Sequence, residues 1–191
     1  MNISRLFAIA AAGAVLLLTG CASTPMGVPQ ATIENTARLR SAQLAPARVG
    51  SFTLDTSKPA ALDQSVSIRA ASLNSPIGGS FAQYLGETLR VELAAAGLAD
   101  PNAPTVISGT LLDSELDAAI GTGSGKLSAR FVVKRNDTVR YDRTLSASAT
   151  WESSFVGAVA IPLAAGQYQG LYRKLAGQLF DDPEFRKALA P

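Results

Sequence analysis

The 191-residue sequence contains no histidine and a single cysteine, Cys21. The first absence removes imidazole general bases, Ser-His-Asp and Cys-His arrangements, and histidine metal ligands. The second removes intrachain disulfides and multi-cysteine metal sites, so the fold must rest on burial alone. Apolar runs are short: none reaches the roughly 18 residues that suggest a membrane-spanning helix. Charge is also sparse. Charged residues make up 17% of the chain, and 17 Lys+Arg against 15 Asp+Glu leave a net charge of +2. That balance points to neither nucleic acid nor a strongly acidic partner. What the chain does have is 47% hydrophobic residues, which excludes a wholly disordered chain. The length fits one ordinary domain with a tail.

The N-terminus has the layout of an export signal. Met1 to Arg5 is short and basic, and Leu6 to Leu18 is an apolar run of 13 residues. That run is too short to span a bilayer, which takes about 20, but suits a signal peptide. Leu18-Thr19-Gly20-Cys21 follows and resembles the bacterial lipobox. Small residues admit the extended chain to the peptidase cleft, and the thiol takes the diacylglyceryl group. The resemblance implies a signal peptide over 1–20, cleavage between Gly20 and Cys21, and lipidation of Cys21. Residue 22 is Ala rather than Asp, which by the same resemblance implies export to the periplasmic leaflet of the outer membrane of a Gram-negative bacterium. Usage of 12 Arg against 5 Lys is compatible with a GC-rich source of that kind. Processing leaves 171 residues with 16 basic and 15 acidic side chains. A chain of that size buries about 70% of its unfolded surface, enough without disulfides.

Residues 21–46 lack a sustained period and read as the lipidated Cys with a coil-like tether, an end-to-end reach of about 25–30 Å. A short helix over Ile33 to Leu44 is the only element expected there. A single α+β domain is expected over 47–191. Val49 to Leu54 and Gln64 to Leu73 alternate as strands. The clearest helix starts at N-cap Ser80, with Gln83 at capping-box spacing. It runs along Phe81, Leu85, Leu89 and Leu93, and closes at Gly97-Leu98. Three strands follow: Val106 to Asp117, Lys126 to Arg135, and Val139 to about Glu152. Pairing Leu112 with Phe131 and Leu116 with Leu127 gathers apolar residues on one face. It sets Asp113 against Arg130 and Asp117 against Lys126 on the other. The connecting loop is then Ala118 to Gly125. In the second hairpin, apolar parity requires a three-residue Asn136-Asp137-Thr138 loop or a bulge. Arg143 has core parity, so it must snorkel at the sheet margin or lie beside a bulge. A last helix runs from about Gly166 to Phe180, and Asp182-Pro183 restarts a short one. The expected fold is α+β: an antiparallel sheet of about four to five strands packed on one face by two helices, in the order strand, helix, three strands, helix.

Candidate sites are few. Gly121 to Lys126 (GTGSGK) departs from a phosphate loop at both defining places, with Ile120 where a Gly is needed and Leu127 where Ser or Thr is needed. It reads as a hairpin loop. Asp113, Glu115 and Asp117 share a strand face, but basic cross-strand partners make charge pairing the simpler role than Ca²⁺ binding. No nucleophile or oxyanion hole accompanies them. No catalytic, cofactor-binding or metal-binding residue is therefore assigned, and the chain is read as a non-enzyme. Trp151 and Tyr141 are expected as core aromatics. Phe155 to Ala165 (FVGAVAIPLAA) is apolar but carries Gly157 and Pro162. It is either a buried crossover or an exposed docking surface, with Phe155, Val156, Val159, Ile161 and Leu163 as its candidate residues.

The strand Ser65-Val66-Ser67-Ile68-Arg69, the helix Phe81 to Leu93 closed by Ala96-Gly97-Leu98, and the strand opening Val106-Ile107-Ser108-Gly109 follow an acylated Cys. In that order the chain resembles the small outer-membrane lipoproteins of the YajG type and the α+β domains of curli-secretion and LPS-assembly lipoproteins. The resemblance spans roughly 65–180 at the level of pattern. It implies a non-catalytic envelope role, held to the membrane by its N-terminal lipid, with an envelope protein of unknown identity as partner and no nucleic acid. The alternative is a periplasmic lipoprotein that carries a lipid or small ligand between sheet and helices. A large apolar cavity under Trp151 would favour the carrier; an exposed patch at Phe155 to Leu163 would favour partner docking.

Overall fold

A computed structural model describes residues 22–191. The leader, the Gly20–Cys21 cleavage site and the Cys21 lipid site lie outside the described residues.

The chain forms β1 (Ala22–Pro25), α1 (Ile33–Ser41), β2 (Arg48–Leu54), α2 (Ala61–Gln64), β3 (Ser65–Ile68), β4 (Ala71–Asn74) and α3 (Phe81–Ala96). β5 (Thr105–Asp117), β6 (Gly121–Arg135), β7 (Thr138–Ser153), α4 (Gly157–Asp181) and α5 (Pro183–Ala188) follow. The main sheet has the order β2-β5-β6-β7, and a small sheet has the order β1-β4-β3. The α+β class and a sheet packed by helices are as expected. β5, β6 and β7 form an antiparallel meander, while β2 lies parallel to β5 and makes the sheet mixed. Helices α3 and α4 cover one face of this sheet, and α1 forms a third layer on the two of them.

Local signals placed α3 well. Ser80 accepts the Gln83 N–H at 3.1 Å, Gly97 stands at φ 78°, and the Leu98 N–H reaches the Leu93 carbonyl at 2.8 Å. Its stripe of Phe81, Leu85, Leu89 and Leu93 is fully buried. So is that of α4, where Tyr168, Leu171, Tyr172, Leu175 and Leu179 face the sheet and α3.

Five expectations need correction. Residues 26–46 are built into the fold rather than hanging as a tether: Met26, Leu39 and Leu44 are buried. The carboxylate of Glu92, fully buried on α3, binds Thr32 and Asn35. It accepts from the Thr32 N–H at 3.0 Å, its hydroxyl at 3.1 Å and Asn35 Nδ2 at 2.9 Å. These contacts are all long-range, so composition hid them. The stretch 64–73 is two strands, not one, turning at Arg69 with φ 54°, and it joins the small sheet. Gly121 to Gly125 is strand, not loop, and only Ala118 to Ile120 separates β5 from β6. Gly123 and Gly125 are core-facing because Trp151 and Leu171 fill the space a Cβ would occupy.

The β5–β6 register also differs. Leu111 pairs with Ala129 and Asp113 with Ser128, leaving Leu112 as a bulge. The buried positions then switch from Ile107, Gly109 and Leu111 to Ser114, so Leu112 does not face Phe131 or Leu116 face Leu127. Two alternating segments out of phase imitated one continuous pattern. Lys126 accordingly reaches Asp113 at 3.4 Å, and Arg130 pairs with Asp142 across the other ladder. Last, α4 begins at Gly157 and holds Pro162 within its second turn. Only the 158 carbonyl loses its helical donor there, close to the helix start, so the interruption is local.

The second hairpin resolves in favour of the bulge. Asn136 and Asp137, both at positive φ, form a two-residue turn, and a register shift after Val133 restores the apolar parity. Arg143 opposes Phe131 on the edge strand and extends outward to within 3.9 Å of Asp182, so it snorkels.

Candidate functional site

Phe155 to Ala165 splits into two faces. Ala160 and Ala164 are fully buried, and Ile161 packs half-buried against the core. Phe155 is 78% exposed, Val159 56%, Val156 53% and Leu163 37%. Four of the five candidate docking residues thus share an exposed surface, and Ile161 does not. Ile120, 64% exposed, belongs to the same end of the sheet, because Gly121 next to it pairs with Ser153.

The entry to α4 is held by one side chain. Arg69 donates from Nε to the Ala118 carbonyl at 2.8 Å and from Nη1 to the Phe155 carbonyl at 3.1 Å. Its Nη2 reaches Ser153 Oγ at 3.3 Å and the Ser154 carbonyl at 2.6 Å. The tip of the β3–β4 hairpin, the β5–β6 turn and the start of α4 are thereby tied at one corner. Ser154 Oγ accepts the Val156 N–H at 3.1 Å and sets the first turn. Sequence reading missed Arg69. Its signal was a charged residue amid an otherwise alternating strand pattern, at the point where the chain turns.

The carboxylates are elsewhere. Asp113 pairs with Lys126, and Asp117 Oδ1 accepts the Ala119 N–H at 2.9 Å, both on the open side of β5. Trp151 lies against Gly123, so closely that a Cβ there would stand 2.4 Å from the indole. The backbone of β6 occupies the space beneath the ring. Tyr141 is buried and donates to Asp182 at 2.8 Å.

Between the sheet and the helices, Ser114 of β5 and Tyr168 and Tyr172 of α4 form a buried hydroxyl chain, with Tyr172 donating to Tyr168 at 3.0 Å. Tyr84 stacks edge-on with Tyr172 at 4.8 Å and donates to the Gly27 carbonyl at 2.9 Å. Burial pushes Tyr84 and Tyr168 up to about 12 and Tyr172 well above its ordinary value. These hydroxyls stay neutral near pH 7 and serve as packing and hydrogen-bonding groups. A cavity of about 300 Å³ opens beside Tyr84, between Val28, Gln169 and Arg173. A groove of about 500 Å³ runs along the edge of β2 beside Gln83, Glu87 and Arg90.

No protein-family model matches the sequence, and no curated protein is similar to it in sequence. Solved structures are similar in fold. A Xanthomonas campestris protein, XCC0632 of the DUF330 family, superposes with a TM-score of 0.55 at 10% identity. The match covers 83% of this chain and 94% of that one. The likeness is one of fold. Looser matches include the minor lipoprotein of Acinetobacter baumannii, with a TM-score of 0.42, 15% identity, and coverage of 72% and 94%. Lipoprotein GNA1162 of Neisseria meningitidis follows at 0.27, 13% identity, and coverage of 65% and 96%. Among the described residues, no helix is long and apolar enough to cross a membrane.

Proposed function

We propose that this chain is a non-catalytic lipoprotein of the bacterial cell envelope, anchored through Cys21 at the periplasmic leaflet of the outer membrane. There it acts as a binding accessory in assembly or transport. The observation that carries the reading is the leader ending in Leu18-Thr19-Gly20-Cys21, directly before a folded chain. Diacylglyceryl and amide-linked acyl chains give persistent attachment, since each buried CH₂ contributes about 0.8 kcal/mol and two chains hold where one does not. The non-catalytic part is supported by the chemistry of the side chains. The sequence contains no histidine, Asp113 is engaged by Lys126, and the buried tyrosine hydroxyls bond one another and Ser114.

Radiolabelled palmitate tests the anchor. Wild-type protein should take up label, and Cys21→Ala should leave an uncleaved, unlabelled precursor. Ala22→Asp should move the labelled protein towards the inner-membrane fraction. Unlabelled wild-type protein recovered as soluble periplasmic material overturns the reading. Crosslinking in intact cells followed by pull-down identifies the partner.

A further inference from the structure

The start of the folded chain and the exposed apolar surface occupy one corner of the molecule. β1 runs parallel to β4, with Ala22 beside Ala71. Ala71 directly follows the Arg69-Ala70 turn, and Arg69 is bonded to the Ala118, Ser154 and Phe155 carbonyls. Cys21 is one residue before Ala22, a step of about 3.8 Å, and the chain heads away from the turn as it enters β1. Ala22, which follows Cys21 in the chain, thus enters the fold at the corner that Arg69 ties to Phe155. Among the described residues the chain is part of the fold from β1 onward, with Met26, Leu39 and Leu44 buried.

We propose that this end of the molecule, formed by Ile120, Phe155, Val156, Val159 and Leu163, is seated in the same lipid leaflet that holds the Cys21 acyl chains. This rests on the anchored reading above and adds an orientation to it. Three features select lipid as the occupant. The anchor places the patch at the bilayer surface. The run from Phe155 to Ala165 carries no charge; Phe155 and Val156 stand exposed just before α4, and Val159 and Leu163 on its first two turns, much as an interfacial helix presents an apolar side. Arg69 stands at the rim with its guanidinium held by carbonyls and a hydroxyl, none of them a carboxylate. Its positive charge is thus left to face lipid phosphates. The Asn136-Asp137 turn and the chain end, where Arg135 donates to the Ala190 carbonyl at 2.6 Å, lie at the far end of the sheet. A 15-residue strand such as β6 spans about 50 Å, so that end stands well clear of the membrane, open to a partner.

The test uses the acylated protein, whose one native cysteine is blocked by lipid. Val159→Cys, and Val139→Cys at the far end, each take a single polarity-sensitive fluorophore. Both are reconstituted into vesicles of phosphatidylethanolamine and phosphatidylglycerol, with and without nitroxide-labelled lipid. The expected result is a blue shift and loss of fluorescence to the nitroxide at 159, with neither at 139. Protein that floats with the vesicles and carries palmitate, yet shows a water-exposed probe at 159, overturns the orientation and leaves the anchor standing. Protein without palmitate overturns both. A photocrosslinker at 155 in intact cells that yields a discrete protein adduct in place of lipid also overturns the proposal, and marks the patch as a protein-docking surface.

Discussion

Arg69→Ala isolates the clamp at the corner of the fold. Four donor contacts disappear, but they are not equal. The Ser154 and Phe155 carbonyls are reached by exposed bonds, which water replaces at little net cost. Ala118 and Ser153 are buried, each 3% exposed, and lose a charged donor. A hydrogen bond to a charged group contributes about 1.5–3 kcal/mol. Ser153 Oγ also donates to the Ala118 carbonyl at 3.4 Å, so part of the satisfaction survives. The expected cost is about 2 kcal/mol, a fall of roughly 4–8 °C in Tm for a chain of this size. Alanine keeps the left-handed backbone at φ 54° and its conformational cost, whereas Arg69→Gly relieves about 1 kcal/mol of that cost. The glycine variant should therefore recover about half the loss. Thermal unfolding of the acylated protein in detergent, followed by circular dichroism, reads both values, and hydrogen exchange should speed up over 153–160. Wild-type stability in Arg69→Ala, or faster exchange elsewhere, would refute the clamp; equal losses in the two variants would refute the backbone strain at residue 69.

The ring of Phe52 is gripped between two glycines: a Cβ at Gly109 would stand 2.3 Å from it and one at Gly86 2.9 Å. Gly109→Ala should cost about 1–3 kcal/mol by overpacking, and adding Phe52→Leu should return part of it, read as a coupling in urea titrations; additive losses would contradict the packing. The two faces of α4 should respond differently to charge. Ile161→Asp should lose about 2–4 kcal/mol because it drives an unpaired carboxylate towards the core, while Val159→Asp should stay within about 0.5 kcal/mol by urea unfolding. Alkaline pH should unfold the protein cooperatively. Burial raises Tyr84 and Tyr168 to about 12 in the folded state against about 10 unfolded. The unfolded chain therefore holds fewer protons between pH 10 and 12, and stability falls as pH rises through that window. Absorbance at the tyrosinate band should rise together with loss of ellipticity, and a separate early titration of all four tyrosines would contradict the buried hydroxyl chain.

Local chemistry alone was enough for the cap and stop of α3, the stripes of α3 and α4, the strands β2, β5 and β7, and the part of β6 from Lys126 on. Each depends on spacing within a dozen residues. The tertiary structure decided everything that depended on distant partners. Glu92 draws Thr32 and Asn35 into the fold across some 60 positions of chain, which no composition argument for a tether detects. The bulge at Leu112 is chosen by what each half of β5 packs against, Phe52 over Gly109 on one side and Tyr168 at Ser114 on the other. The two-faced character of Phe155 to Ala165 was open for the same reason. An apolar run states that a surface will avoid water, while the neighbour that covers it is set by chain brought from elsewhere. Here the core covers Ala160 and Ala164, while Arg69 fixes the Ser154 and Phe155 carbonyls and the Phe155 and Val156 side chains stay exposed.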